Sequence, residues 1–216
     1  MAKERDRCVT RPGGFQITDE AVKLCRFTAG ARLGDIGCGY GDTAKYLSVR
    51  YGFDVTGIDA DEDVISRCAD GVGYRFVRAD ARRLPFADCS LDGLLYECSF
   101  SKMDEPDKAL AEAFRTLKSG GRIALSDFYA AGAETNCRGL LGRIESAEHI
   151  GARLAAAGFE RESFTDFSGA MRELFGQLIF DYGRDELCAM LGGPQNDIGA
   201  AKPAYGLFIA VKHEHC

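Results

Sequence analysis

The chain contains no apolar stretch approaching the ~18 residues that a membrane-spanning helix needs, which excludes a helical integral membrane protein. Its start, Met1-Ala-Lys-Glu-Arg-Asp-Arg7, is densely charged and lacks the apolar core of a secretion signal, so a soluble, cytoplasmic protein is expected. Basic residues never run longer than two in a row. With 27 Lys and Arg against 33 Asp and Glu the formal net charge is −6, and nothing supports a nucleic-acid partner. No two of the 9 cysteines stand closer than Cys89 and Cys98, which excludes a local CxxC zinc or redox motif. Without a secretion signal, free thiols are expected rather than a disulfide framework. The tail His213-Glu-His215-Cys216 is read as solvated, and no metal site is expected.

What is present is ordinary for a globular domain: 216 residues, 46% hydrophobic and 28% charged. Strand-like and helix-like segments alternate, which predicts an α/β fold with a mostly parallel sheet and helices on both faces. Thr18-Asp-Glu20 reads as a helix start with Thr18 as cap. Strands are expected over 31–36, 53–59, 74–78, 91–98, 122–129, 159–167 and 205–211, with helices over 43–51, 61–68, 108–117 and 145–157. The whole chain, 1–216, is expected to form one domain, with an N-terminal helical cap over about 1–30 and a helical insertion over about 169–203. In that insertion Met171, Leu174, Phe175, Leu178 and Ile179 recur at helical spacing, which fits either a packed helix or a substrate lid.

Leu33-Gly-Asp-Ile-Gly-Cys-Gly-Tyr-Gly41 ends an apolar strand and opens a helix. Glycines at 37, 39 and 41 leave room for a ligand to approach the backbone. The dinucleotide fingerprint would need a third glycine at position 42, where Asp42 stands and would repel a pyrophosphate. A phosphate-binding P-loop fails too, since no Gly-Lys-Ser/Thr follows. The remaining candidate is a ligand that favours carboxylates. Asp35 could meet a cation, Asp59 could accept from ribose hydroxyls, and Asp80 with the Ala81 amide could pair with an adenine edge. Three such acids at successive strand ends fit a positively charged adenosine cofactor without phosphate.

These segments resemble the class I S-adenosylmethionine-dependent methyltransferases. The matching residues are Asp35-Ile-Gly-Cys-Gly-Tyr-Gly41, Gly57-Ile-Asp59, Asp80-Ala81 with Leu84-Pro-Phe86, and Leu117-Lys-Ser-Gly-Gly-Arg-Ile123. The resemblance implies a Rossmann-like seven-stranded sheet whose last strand is antiparallel. It further implies S-adenosylmethionine as cofactor and S-adenosylhomocysteine as product. By it, Gly37, Cys38, Gly39 and Gly41 would contact the methionine part, Asp59 the ribose, and Asp80 with Ala81 the adenine, with Asp35 and Ala60 also expected at the cofactor.

The fourth strand ends Tyr96-Glu-Cys98-Ser99, a position that faces the methyl group in that family, so Glu97, Cys98 and Ser99 are expected near the acceptor. Cys98, the Ser126-Asp-Phe-Tyr129 segment and Cys137 are similar to segments of arsenite methyltransferases. That similarity implies a soft acceptor, trivalent arsenic or a thiol, held by cysteines. Leu84-Pro-Phe86 and Leu117-Lys-Ser-Gly-Gly121 equally resemble the ubiquinone/menaquinone-biosynthesis (type 11) group, which implies carbon or oxygen methylation of a small aromatic or quinone-like molecule. A non-catalytic cofactor-binding or metalloid-sensing protein is the third alternative. The expected partner is a small-molecule substrate, with the chain a monomer or homodimer.

Overall fold

The computed structural model describes residues 11–192 and 195–213. Parallel strands cannot be joined by tight turns, so each return in the first half of the chain runs through a crossover. The order is α1 (Phe15–Cys25), β1 (Arg32–Ile36), α2 (Asp42–Tyr51), β2 (Asp54–Asp59), α3 (Glu62–Ile65), β3 (Tyr74–Arg78), β4 (Leu91–Glu97), α4 (Pro106–Thr116) and β5 (Leu117–Ala130). A two-stranded ribbon, β6 (Thr135–Asn136) and β7 (Arg143–Ile144), leads into α5 (Ala147–Ala156) and β8 (Phe159–Asp166). Three helices, α6 (Ser168–Tyr182), α7 (Arg184–Leu191) and α8 (Gln195–Ala201), precede β9 (Pro203–Lys212).

The main sheet has seven strands in the order β3-β2-β1-β4-β5-β9-β8. β1 pairs in parallel with both β2 and β4, whereas β9 runs antiparallel between β5 and β8. The α/β class and the antiparallel last strand are therefore as the sequence implied. Alternation along each strand feeds two cores. Leu33, Val55 and Leu95 join residues of α1, α2 and α6 on one face, and Ile36, Ile58, Leu94 and Tyr96 join α4 and α5 on the other. No helix among the described residues is long and apolar enough to cross a membrane.

The first helix starts before the predicted cap. Gly13 and Gly14, at φ +65° and +50°, make the entry turn, so the helix begins at Phe15 and Thr18 lies inside it, fully buried. Its hydroxyl is used elsewhere: it donates to Glu97 Oε1 at 2.7 Å and accepts from Arg11 at 2.8 Å. The expected helix over 61–68 shortens to α3. Among the described cysteines Cys89 is disulfide-bonded, which departs from the expectation of free thiols, while the other six are free. His213 pairs with Glu160 at 3.1 Å, and the rest of the expected solvated tail lies outside the described residues. The N-terminal cap expected over about 1–30 is described only from Arg11 onward.

The helical insertion is fastened to the loop that follows β5. Backbone amides of Gly132, Ala133, Arg138 and Leu140 donate to carbonyls of Ala201, Ala200, Gly192 and Met190, at 2.8–2.9 Å. Gly139 and Gly192 pass so closely that a Cβ built on Gly192 would stand 2.0 Å from the Gly139 nitrogen. With Gly192 at φ +78°, this crossing needs glycine for both space and conformation.

Candidate functional site

In an open α/β sheet a crevice forms where the strand order reverses, outside the carboxyl ends of the strands. Here that point lies between β1 and β4, and the glycine turn sits on it. Gly37, Gly39 and Gly41 have φ of +72°, +54° and +82°. A Cβ on Gly37 would stand 2.4 Å from Ser99 Cβ, and one on Gly41 would stand 2.2 Å from the Phe76 ring. These two glycines allow the turn to fit between its neighbours. Gly39 differs, because a Cβ there would meet nothing within 4 Å. Its missing side chain leaves open space facing the cleft.

The cleft holds about 410 Å3 and is lined by Gly37, Gly39, Asp59, Ala60, Asp80 and Ala81 on one side. Cys98, Ser99, the segment Lys102–Glu105 and Ala109 close the other. Asp59 Oδ2 accepts from the Gly39 amide and Oδ1 from the Asp61 amide, each at 3.0 Å. Each oxygen keeps one acceptor site for a ligand. Asp80 accepts from the Arg82 backbone amide and guanidinium, and these bonds hold its carboxyl below the ordinary range. Arg82 also reaches Glu105 at 2.6 Å, spanning the mouth at this end.

Four of the expected residues stand away from the cleft. Asp35 lies beneath the glycine turn, 2% exposed, with Oδ2 buried and without a hydrogen-bond partner. Desolvation, then the charge of Glu97, pushes its carboxyl up to about 8. The Cys38 side chain turns behind the turn, its sulfur beside Gly57 and its backbone amide on the Ile58 carbonyl. Burial raises that thiol well above its usual value. Gly41 packs against Phe76 and does not line the cleft. Glu97 shares strand parity with Leu95, so it faces α1 and α2, where it accepts from Thr18 and Thr43 and pairs with Arg11 at 2.9 Å. It does not line the acceptor region expected of it.

Cys98 lines the cleft, with φ +52° and its sulfur 3.1 Å from Tyr205 Oη. Burial pushes its thiol up to about 12. Cys137 is buried and lines a second cavity of about 480 Å3 that shares Lys102, Met103 and Asp104 with the first. Burial raises its thiol as well. The two cysteines thus stand in adjoining cavities rather than in one. The groups that sequence reasoning missed are Arg11 and Thr18, together with the shared wall. No local pattern marks Arg11, because its partner Glu97 is 86 positions away.

The buried Asp35 has a measurable consequence. Between its unfolded pKa of ~4 and its folded value of about 8, the native state keeps a proton that the unfolded chain gives up. Native stability is therefore expected to fall as pH rises through that window, by up to ~1.4 kcal/mol per unit. Above the folded value this loss should level off. Urea titrations across the window should show this slope in the wild type and a flatter one in Asp35→Asn. Equal slopes would mean that Asp35 is not the group responsible.

A glycine turn at the switch point, a carboxylate ending β2 and another just beyond β3 define a Rossmann-like site for an adenosine cofactor. Comparison with known proteins narrows this. Residues 34–125 match the family model of a methyltransferase domain. The 27-O-demethylrifamycin SV methyltransferase of Amycolatopsis mediterranei is 33% identical over 172 residues, 71% of this chain and 62% of that protein. The chain therefore spans less than two thirds of that relative. The 4+2 cyclase SpnF superposes with a TM-score of 0.75 at 26% identity, over 97% of this chain and 84% of that one. The Haemonchus contortus phosphoethanolamine N-methyltransferase 2, solved with S-adenosyl-L-methionine, gives 0.77 at 18% identity, over 96% and 55%. Residues 34–125 therefore carry a methyltransferase domain of the class I S-adenosylmethionine-dependent kind, in the type 11 group.

Proposed function

We propose that the chain transfers the methyl group of S-adenosylmethionine to a carbon, oxygen or nitrogen atom of a small molecule seated in the second cavity. The observation that carries this reading is that the cofactor-type cleft adjoins a further cavity across the wall Lys102–Asp104. The cleft residues fit the cofactor: Gly39 leaves its face open, and Asp59 retains acceptor capacity for two hydroxyls. Asp80 and Ala81 stand at the other end for the adenine. When bound, S-adenosylmethionine supplies an electrophilic methyl group and leaves as the neutral thioether.

The protein's own contribution is mainly positioning, which in a linear displacement can supply several kcal/mol of the barrier. An oxygen or nitrogen acceptor must also lose a proton. Asp104 lines both cavities and has no ion pair among the described residues, so it is the group placed to take that proton. Trivalent arsenic or a thiol held by Cys98 and Cys137 has less support. Burial raises both thiols, which works against thiolate ligation, and among the described residues no three metal-binding side chains form a cluster. The oxygen acceptor named for the Amycolatopsis relative points the same way.

The test is to titrate the full chain with S-adenosylhomocysteine by calorimetry. S-adenosylhomocysteine formation from S-adenosylmethionine is then assayed with phenols, carboxylates, phosphate esters, amines and arsenite. Turnover with a carbon, oxygen or nitrogen acceptor is expected. Turnover on arsenite alone would restore the soft-acceptor reading. Cofactor binding without any turnover would place the chain among non-transferring members of this fold, and no binding would sink the reading altogether.

A further inference from the structure

The two adjoining cavities differ in charge. The cofactor cleft is lined by four carboxylates, Asp59, Asp80, Asp104 and Glu105, against two cations, Arg82 and Lys102. That excess suits a ligand carrying positive charge. The second cavity has the opposite balance: Lys102, Arg138 and Arg143 against Asp104 alone.

The three cations are not equivalent. Arg143 is already engaged, donating to the carbonyls of Met103 and Phe100 and standing 3.1 Å from Glu145. Lys102 and Arg138 have no ion pair or side-chain hydrogen bond among the described residues. Both line the cavity from different segments, one after β4 and the other after β5. The wall carrying Arg138 is well anchored, because its backbone amide donates to Gly192 at the end of α7 and Gly139 crosses Gly192 closely. An acidic protein of net charge −6 thus presents two unengaged cations to a cavity beside its cofactor cleft.

We propose that the second cavity binds an acceptor through an anionic group, carboxylate or phosphate, held between Lys102 and Arg138. This rests on the methyl-transfer reading for the word acceptor, but anion binding itself does not depend on it. A planar guanidinium grips either group through two parallel hydrogen bonds, and the ammonium adds a point charge. Met103 and the methylene of Cys137 offer apolar contact to the remainder of the molecule. Charge complementarity then sorts the ligands, with the cation entering the acidic cleft and the anion the basic cavity.

The test uses phenyl phosphate, benzoate and neutral benzyl alcohol as probes, titrated into the full chain with and without S-adenosylhomocysteine. At least one anion should bind roughly tenfold or more tightly than benzyl alcohol, as charge-assisted bonds to two cations require. Whichever anion binds more tightly identifies the head group. Arg138→Ala should weaken that binding roughly fivefold or more, and Arg138→Lys should recover part of it. Arg138 does not line the cofactor cleft, so the affinity of Arg138→Ala for S-adenosylhomocysteine should stay close to wild type. Equal binding of the alcohol and the anions would overturn the proposal, and so would unchanged anion affinity in Arg138→Ala. If S-adenosylhomocysteine fails to bind while the anion does, the methyl-transfer reading fails and the anion site stands.

Discussion

Asp59→Ala is expected to weaken binding of S-adenosylmethionine and S-adenosylhomocysteine by roughly a hundredfold, with the far-ultraviolet spectrum of the fold retained. Hydrogen bonds to a charged acceptor contribute ~1.5–3 kcal/mol each, so two ribose hydroxyls on one carboxylate give at least ~3 kcal/mol, a factor of roughly a hundred at the lower end. A second term acts through the protein. Asp59 holds the Gly39 and Asp61 amides, so its removal also loosens the turn that the cofactor must meet. Asp59→Asn keeps one acceptor oxygen and should fall between wild type and Asp59→Ala. Calorimetric titration decides the matter, and an affinity within a few-fold of wild type for Asp59→Ala would remove this carboxylate from the cofactor site.

The largest expected loss of stability is that of Arg11→Met. Arg11 and Glu97 have side chains only 12% and 6% exposed, and the hydroxyls of Thr18 and Thr43 complete the network. Breaking a buried ion pair from one side typically costs ~3–5 kcal/mol, because the remaining charge is stranded. Here the stranded carboxylate would sit near a second buried acid, Asp35, whose elevated pKa already reflects Glu97. Adding Glu97→Gln to the variant removes the stranded charge and should recover part of the loss. Urea denaturation of the wild type, Arg11→Met and the double variant measures this. A midpoint for Arg11→Met equal to that of the wild type would contradict the pair's role, and no recovery in the double variant would contradict Glu97 as the stranded group.

The parts of the site that were legible in the sequence are those set by local backbone demands. A glycine turn between a strand and a helix, and carboxylates at strand ends, carry their geometry within a few residues. The mostly parallel α/β class followed because strand and helix signals alternated, whereas the antiparallel last strand was implied only by the family resemblance. The Arg11–Glu97 network was not legible, since Thr18 looks like a helix cap by every local rule. Only the distant carboxylate claims its hydroxyl. The assignment of Glu97 to the acceptor region failed on strand parity. One residue decides which face a side chain joins, and Cys98 leaves the strand in a left-handed conformation that no pattern marks. The second cavity was invisible for a related reason. Its walls come from segments after β4 and β5, far apart in the sequence, which Arg143 ties together by donating to the carbonyls of Phe100 and Met103.

The docking of the insertion also bears on how such enzymes diversify. The loop 131–140 and the helices α7 and α8 are joined through main-chain bonds and a glycine crossing rather than through interchangeable side chains. Neither segment can be exchanged singly for that of a relative without leaving carbonyls and amides unmatched on the other. The pair behaves as one cassette. On the proposal that the second cavity seats the acceptor, recombining acceptor preferences between relatives requires moving two stretches that the sequence separates by about fifty residues, while the glycine turn and its carboxylates stay where they are.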